Sequence, residues 1–319
     1  MAEERTGGPG GGLGGLRRPF RGWFLIFLAL GTALTAGIAM VGDLKGLLLA
    51  GGMDYGYLPL ILVLAPLNYC LRYVKWRYFL RRLGILIPEG QNLIIFTAGL
   101  GLTLTPGKAG ELLKSYLLWE RWEIPVTTTA PVVVAERLTD GVSLLILASL
   151  GSLHYRQGGT VLLVVGGAMG AFILFMQTPL LATCLRRLLG KIPLLRRALP
   201  FLAQIQACFR QILQPTPLLY SIGLGVVSWA FEGLVLYLAV QALGGQISPL
   251  GAIFIVSFSA IIGAISFLPG GLVAVEGTIL GLLLAAGLAT NVAAAATIIT
   301  RFSTLWLGVA LGVVGLFLA

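Results

Sequence analysis

Thr105-Pro106-Gly107-Lys108-Ala109-Gly110-Glu111-Leu112-Leu113-Lys114, followed by Glu136-Arg137-Leu138-Thr139-Asp140, sets the problem that the fold has to solve. Both segments lie within apolar sequence. A Pro-Gly break removes helical hydrogen bonds, and Lys, Glu, Arg and Asp bring charge into a region that lipid would penalise. Such groups persist only where protein buries them or where they line a wet cavity.

Outward from that stretch, the 319 residues are 57% hydrophobic and only 11% charged, with a mean hydropathy of +0.95. Soluble domains carry roughly 25% charged residues, so the composition specifies an all-α, polytopic membrane protein. Length alone would suggest about two soluble domains. Apolar stretches of about 20 residues joined by short loops instead describe one membrane-embedded domain over residues 17–319, preceded by a disordered Gly-rich tail over residues 1–16. The net charge of +10 is gathered in residues 17–21, 72–82 and 186–197. Cytoplasmic loops show this pattern, and it argues against nucleic-acid binding. Cys70, Cys184 and Cys208 have no metal-binding or disulfide spacing. His154 is the only histidine and reads as an exposed loop residue, so neither a multi-histidine zinc site nor a Ser-His-Asp triad is expected.

Charge bias orders the spans. Residues 23–41 form the first, too long for a signal peptide and entered from the cytoplasm after Arg17, Arg18 and Arg21. Residues 55–74 return to a basic stretch in which Tyr73, Trp76, Tyr78 and Phe79 suit a headgroup-level belt. Residues 126–150 run outward and 161–181 inward, leaving residues 85–123 to begin and end on the cytoplasmic side, as two full spans or, given an apolar run of about 12 residues, as the favoured hairpin re-entering the membrane. Phe201, Leu202, Ile205, Phe209, Ile212 and Leu213 oppose Gln204, Gln206, Arg210 and Gln211, the pattern of an interfacial helix. Residues 217–242 run outward, 250–268 and 272–288 flank Pro269-Gly270, and 292–318 return inward.

The chain repeats this plan. Pro106-Gly107 precedes Glu111 and then Arg137, while Pro269-Gly270 precedes Glu276 and then Arg301 at nearly the same spacing. Each half, about residues 55–152 and 217–318, has a span, a broken helix pair and a span carrying an arginine. The charge-derived topology makes the halves inverted, the architecture in which interrupted helices meet near the midplane and bind a transported substrate. Pro106, Gly107, Pro269 and Gly270 are the expected hinges. Lys108, Glu111, Glu136, Arg137, Asp140, Glu232, Glu276 and Arg301 should face the interior and partly neutralise one another. Arg137, Arg301 and Lys108 suit phosphate, because a guanidinium binds two oxygens at once and stays charged when desolvated. Glu111 and Glu276 could hold the arginines or contact an amino headgroup.

The segments 104–114, 136–141 and 268–277 resemble the lysylphosphatidylglycerol synthase transmembrane-region family of flippase-like domains, over most of the chain from about Arg17 onward. The resemblance implies movement of lipids between leaflets, aminoacylated phosphatidylglycerol or polyprenyl-linked sugars among them, in a bacterial-type cytoplasmic membrane with the N-terminus cytoplasmic. It also implies that the ionisable residues named above form the site. These 319 residues contain no transferase like that of the two-domain members, so lysyltransferase activity is not expected.

The resulting expectation is a flippase or scramblase for an anionic phospholipid, aminoacyl phospholipid or isoprenoid-phosphate-linked lipid, not an enzyme, with no cofactor and no metal. Gly7 to Gly15 lack the Lys-Ser/Thr ending of a nucleotide-binding loop. The expected partners are membrane lipids bearing a phosphate headgroup and a separately encoded cytoplasmic lipid-modifying enzyme. Two alternatives stand beside it: an intramembrane headgroup transferase using Glu111 or Asp140 as base, and a non-transporting subunit of a cytoplasmic glycosyltransferase or synthase.

Overall fold

Glycine and proline divide an otherwise helix-compatible apolar chain into its elements. A computed structural model describes residues 52–105, 110–152, 159–178 and 199–319, with most of 29–40. The Gly-rich tail, most of the 23–41 span, Pro106, Gly107, Lys108, His154, Cys184 and the 186–197 basic loop lie outside the described residues.

The described helices are α1 (Leu58–Arg82), α2 (Glu89–Gly101), α3 (Leu113–Trp122), α4 (Val126–Ser152), α5 (Gly159–Gln177), α6 (Leu199–Ile212), α7 (Pro215–Ala242), α8 (Pro249–Ile265), α9 (Ala274–Ala285), α10 (Thr290–Arg301) and α11 (Leu307–Leu318). A π-helical turn, Phe302–Trp306, joins α10 to α11. Among the described residues, four stretches are long and apolar enough to cross a bilayer: Tyr55–Arg82, Gly159–Gln177, Pro215–Ala242 and Thr290–Leu318. At 27 residues α4 is equally long, and it differs in carrying Glu136, Arg137 and Asp140. The chain is thus an all-α integral membrane protein.

The two halves show the same order of elements. Helices α1 and α7 are both followed by Leu-Gly, with Gly84 at φ 75° and Gly244 at φ 71°, and then by a short helix, a break, another short helix and a long helical stretch, α4 in one half and α10 to α11 in the other. The short helices, 13 and 10 residues in one half and 17 and 12 in the other, measure about 20, 15, 26 and 18 Å. All fall short of a hydrocarbon core of about 30 Å.

Helices α1 and α7 pack antiparallel. The backbone N–H of Asp54 donates to the carbonyl of Ala242 at 2.7 Å, Tyr78 meets Tyr220 at 4.6 Å between ring centroids, and Arg82 donates to Gln214 at 3.0 Å. Midway, Asn68 Nδ2 donates to the Ser228 carbonyl at 2.8 Å, and Ser228 Oγ returns a bond to the Asn68 carbonyl at 3.3 Å. Around this seam α2 packs on α11, and α8 on α4 and α7.

Two apolar cores flank a charged layer. Along α1, Ile61 and Leu64 belong to one core and Trp76, Phe79 and Leu80 to the other. Along α4, Leu144 and Leu147 belong to the first and Val132 and Leu138 to the second. Between them lie Asn68, Arg72 and Lys75 of α1, and Glu136, Arg137 and Asp140 of α4. A small third cluster joins Leu104, just before the first break, to Leu272 in the second and to Leu305 and Val309. The two interrupted segments therefore meet.

Two expectations are corrected. The stretch from Arg72 to Arg82 is not wholly a headgroup-level belt, because α1 continues through it and turns one face inward. Arg72, Lys75, Trp76 and Phe79 are buried, and the exposed cationic end is formed by Arg81 and Arg82 with half-exposed Arg77. Helix α6 packs on α4, α5 and α1. Its Gln206 turns inward to donate to the Thr178 carbonyl at 3.0 Å, while Phe201 faces out.

Candidate functional site

Helical spacing builds the site's first wall. Asn68, Arg72 and Lys75 recur at intervals of four and three, so one face of α1 delivers an amide and two cations into the bundle. On α4, Glu136, Thr139, Asp140 and Ser143 do the same with acidic and hydroxyl groups, all of them buried.

These two faces are joined by ion pairs. Lys75 Nζ donates to the Asp140 carboxylate and lies 3.4 Å from Thr139 Oγ1. Lys114 of α3 lies 2.5 Å from Glu136 Oε2, with its ammonium 4.4 Å from the centre of the Trp76 ring. Arg137 bridges two carboxylates, with Nε 3.3 Å from Glu111 and Nη2 3.2 Å from Asp140. Arg72 Nη2 is 3.9 Å from Glu111 Oε1. An unpaired charge here would carry a desolvation penalty of several kcal/mol, which close oppositely charged partners offset.

In the second half the same arginine–carboxylate pairing recurs on its own. Arg301 Nε donates to Glu276 Oε1 at 2.6 Å, and Nη2 donates to the Gly270 carbonyl at 3.0 Å. That carbonyl is available because the break is not helical: Phe267, Gly270, Gly271 and Val273 have φ of 53°, 59°, 65° and 71°. Glycine tolerates such angles, but a β-branched residue such as Val273 is strained there. Arg301 thus ties the break to α10, and Glu276 lies in the first turn of α9, where the helix dipole favours negative charge.

A cavity of about 250 Å³ opens between the halves. Its charged lining is Arg72, Arg137, Asp140, Glu232 and Arg301, with Tyr69 and Trp229 beside them. Of the residues expected from sequence, Arg137, Asp140, Glu232, Arg301 and Gly270 line it. Glu111, Glu136 and Glu276 stand behind, paired to the cations. Glu232 accepts from Asn68 Nδ2 at 3.2 Å. Lys108, Pro106 and Gly107 lie outside the described residues, and Pro269 is buried in the second break. Among the described residues no cluster of side chains could hold a metal ion.

Sequence reading missed Arg72, Lys75, Lys114 and Trp229 as interior groups. The first two were assigned to a basic loop, although their phase with Asn68 along the helix could have identified them. Lys114 carried a signal of its own, three residues beyond Glu111 on a helical face. Trp229 had none, since an aromatic residue in a span is ordinary.

Chemically, the cavity presents guanidinium groups from both halves on a background of fixed carboxylates, donors of the kind suited to anionic oxygens. Residues 25–312 match the family described as Lysylphosphatidylglycerol synthase TM region. The chain is also 26% identical over 290 residues to a UPF0104 membrane protein of Methanothermobacter thermautotrophicus, covering 82% of this chain and 84% of that one. A second UPF0104 membrane protein match from the same organism is 32% identical over 91 residues, 28% of this chain and 27% of the relative. With the family match spanning residues 25–312, most of its length, the chain belongs to the lysylphosphatidylglycerol synthase transmembrane-region family.

Proposed function

We propose that the protein carries a phosphate-bearing lipid between membrane leaflets, as a flippase or scramblase, with the cavity between its halves as the headgroup site. One observation carries this reading: Arg137 and Arg301, from corresponding positions of the two halves, line the same cavity where the two interrupted segments meet. The antiparallel α1–α7 seam and the short broken helices fit an inverted-topology repeat, in which rocking of one half against the other would expose a central site to each side in turn. Gly270 and Gly271, in the turn ahead of α9, bring backbone to the cavity wall, and Val275 brings the first turn of α9 to it.

The cargo class is an anionic or aminoacyl phospholipid, or an isoprenoid phosphate. Exchange is driven electrochemically or proceeds passively, without a cofactor, in a cytoplasmic-type membrane with the N-terminus inside. A separate cytoplasmic enzyme would supply or consume the lipid. An intramembrane transferase is less well supported, because its candidate bases, Glu111 and Asp140, are both engaged by cations.

The test is leaflet exchange of labelled phosphatidylglycerol and undecaprenyl phosphate in proteoliposomes, comparing wild type with Arg137→Gln and Arg301→Gln at equal reconstitution. Fast exchange lost in both variants is the expected result. Exchange unaffected by either variant, or absent for both lipids with and without a proton gradient, would overturn the reading.

A further inference from the structure

Buried N–H groups without an acceptor show where a ligand's oxygens belong. Inside protein nearly every polar side-chain atom is paired, and an orphaned donor carries its desolvation cost unrelieved. Among the described residues, Arg72 Nε and Trp229 Nε1 are buried donors without a hydrogen-bond acceptor, and both side chains line the cavity. Each residue is only 7% exposed.

Their position in the seam sharpens the point. Asn68 and Ser228 bond reciprocally across it, and the next residues along the two helices are Tyr69 and Trp229, which line the cavity from opposite halves. The Tyr69 hydroxyl is already committed, donating to the Thr304 carbonyl in the π-helical turn. Its counterpart, the Trp229 indole, is not. One turn further, Arg72 and Glu232 also both line the cavity. The seam therefore supplies one uncommitted neutral donor, the indole N–H, and one cationic N–H without an acceptor, the Nε of an arginine whose Nη2 lies 3.9 Å from Glu111.

We infer that Trp229 Nε1 and Arg72 Nε form a second donor pair that binds phosphate oxygens in the cavity, a binding role that rests on the phosphate-lipid reading above. The matching group has acceptors and no donors, as a phosphodiester or phosphate does. The indole adds a hydrogen bond without adding charge to a site whose ion pairs are already balanced. It thereby orients the phosphate while Arg72, Arg137 and Arg301 supply attraction.

Trp229→Phe removes the N–H and retains an aromatic ring. The detergent-purified full chain, labelled with 5-fluorotryptophan, would be titrated with dioctanoyl phosphatidylglycerol, with inorganic phosphate and with dioctanoylglycerol. The Trp229 fluorine resonance is identified by replacing the other five of the six tryptophans with Phe one at a time, so that its assignment does not depend on the variant folding. We expect the resonance to move with phosphatidylglycerol and not with dioctanoylglycerol, and Trp229→Phe to weaken phosphatidylglycerol binding about tenfold at unchanged melting temperature. A shift with inorganic phosphate as well supports the same donor pair with a soluble source of phosphate. A resonance unmoved by either phosphate probe, an equal shift with dioctanoylglycerol, or undiminished binding by Trp229→Phe would overturn the assignment. Trp229-dependent binding without leaflet exchange leaves the donor pair standing and removes the transporter reading. Equal exchange by wild type and Trp229→Phe does the reverse.

Discussion

The two halves share an order of elements but differ in how their charged residues are held. In the first half, Lys75, Lys114, Arg72 and Arg137 share Asp140, Glu136 and Glu111 among four elements. In the second, Arg301 meets Glu276 and one backbone carbonyl. At the spacing that relates Arg137 to Arg301, Glu136 corresponds to Thr300 and Asp140 to Thr304, and both threonines bond back to their own helix. The arginine and its carboxylate recur, whereas the bracing does not. The first half is a frame cross-linked by ion pairs, and the second is a strained break that one guanidinium ties to its neighbouring helix.

This contrast can be broken most forcefully at Lys75. Lys75→Met leaves Asp140 with only Arg137 as an ion-pair partner among the described residues and should cost about 3 kcal/mol of stability, read as lost yield and a lowered melting temperature in detergent. Adding Asp140→Asn should recover a large part of that loss, and a double mutant no better than the single would contradict the cross-linked frame.

A nearly comparable effect is expected where backbone meets backbone. A Cβ on Gly312 would run into the amide of Gly101, and one on Gly315 would lie 2.6 Å from the Ala98 nitrogen. Close approach through small residues is how membrane helices gain packing. Gly312→Leu should therefore separate α11 from α2 and cost about 3 kcal/mol or more, of the order of severe overpacking. A substitution at open Gly167, which has nothing within 4 Å, should leave the melting temperature unchanged.

Arg301→Gln should leave global stability less affected than Lys75→Met, because it releases a break and not a frame. Its signature is local: faster amide hydrogen exchange across residues 267–277, with residues 132–144 unchanged. Equal acceleration in both regions would mean that the halves are braced alike.

The smallest effect should come from Val273→Gly. Removing a β-branched side chain at φ 71° relieves about 1–3 kcal/mol of strain against the roughly 0.5–1 kcal/mol entropic cost of glycine. The net gain is about 1 kcal/mol, visible as a slightly higher melting temperature. A loss instead would mean that the Val273 side chain contributes packing that outweighs the strain.

The sequence made legible what depends on composition and local chemistry. Long apolar runs gave the helices, Pro269-Gly270 marked the second break, and Arg137, Asp140, Glu232 and Arg301 stood out as charges in apolar surroundings that line one cavity. Interior partners drawn from charged neighbourhoods were hidden. Arg72 and Lys75 sit within a basic cluster, where positive-inside logic reads every cation alike, and only their phase along the helix separates them from Arg77, Arg81 and Arg82. Gln206 was misplaced because a single polar residue can turn inward whenever a carbonyl such as that of Thr178 awaits it.

The reciprocal bond between Asn68 and Ser228 joins two helices that belong to one polypeptide. Two identical subunits meeting about a two-fold axis set a residue beside that axis near its own copy, so a cation there faces a second cation. When such subunits are joined in one polypeptide, that restriction disappears. Arg72 and Glu232, which stand equally far beyond the bonded pair, then become free to differ in sign. A single polypeptide can thus place a cation on one side of the seam and a carboxylate on the other, giving the cavity wall a charge polarity that identical subunits could not.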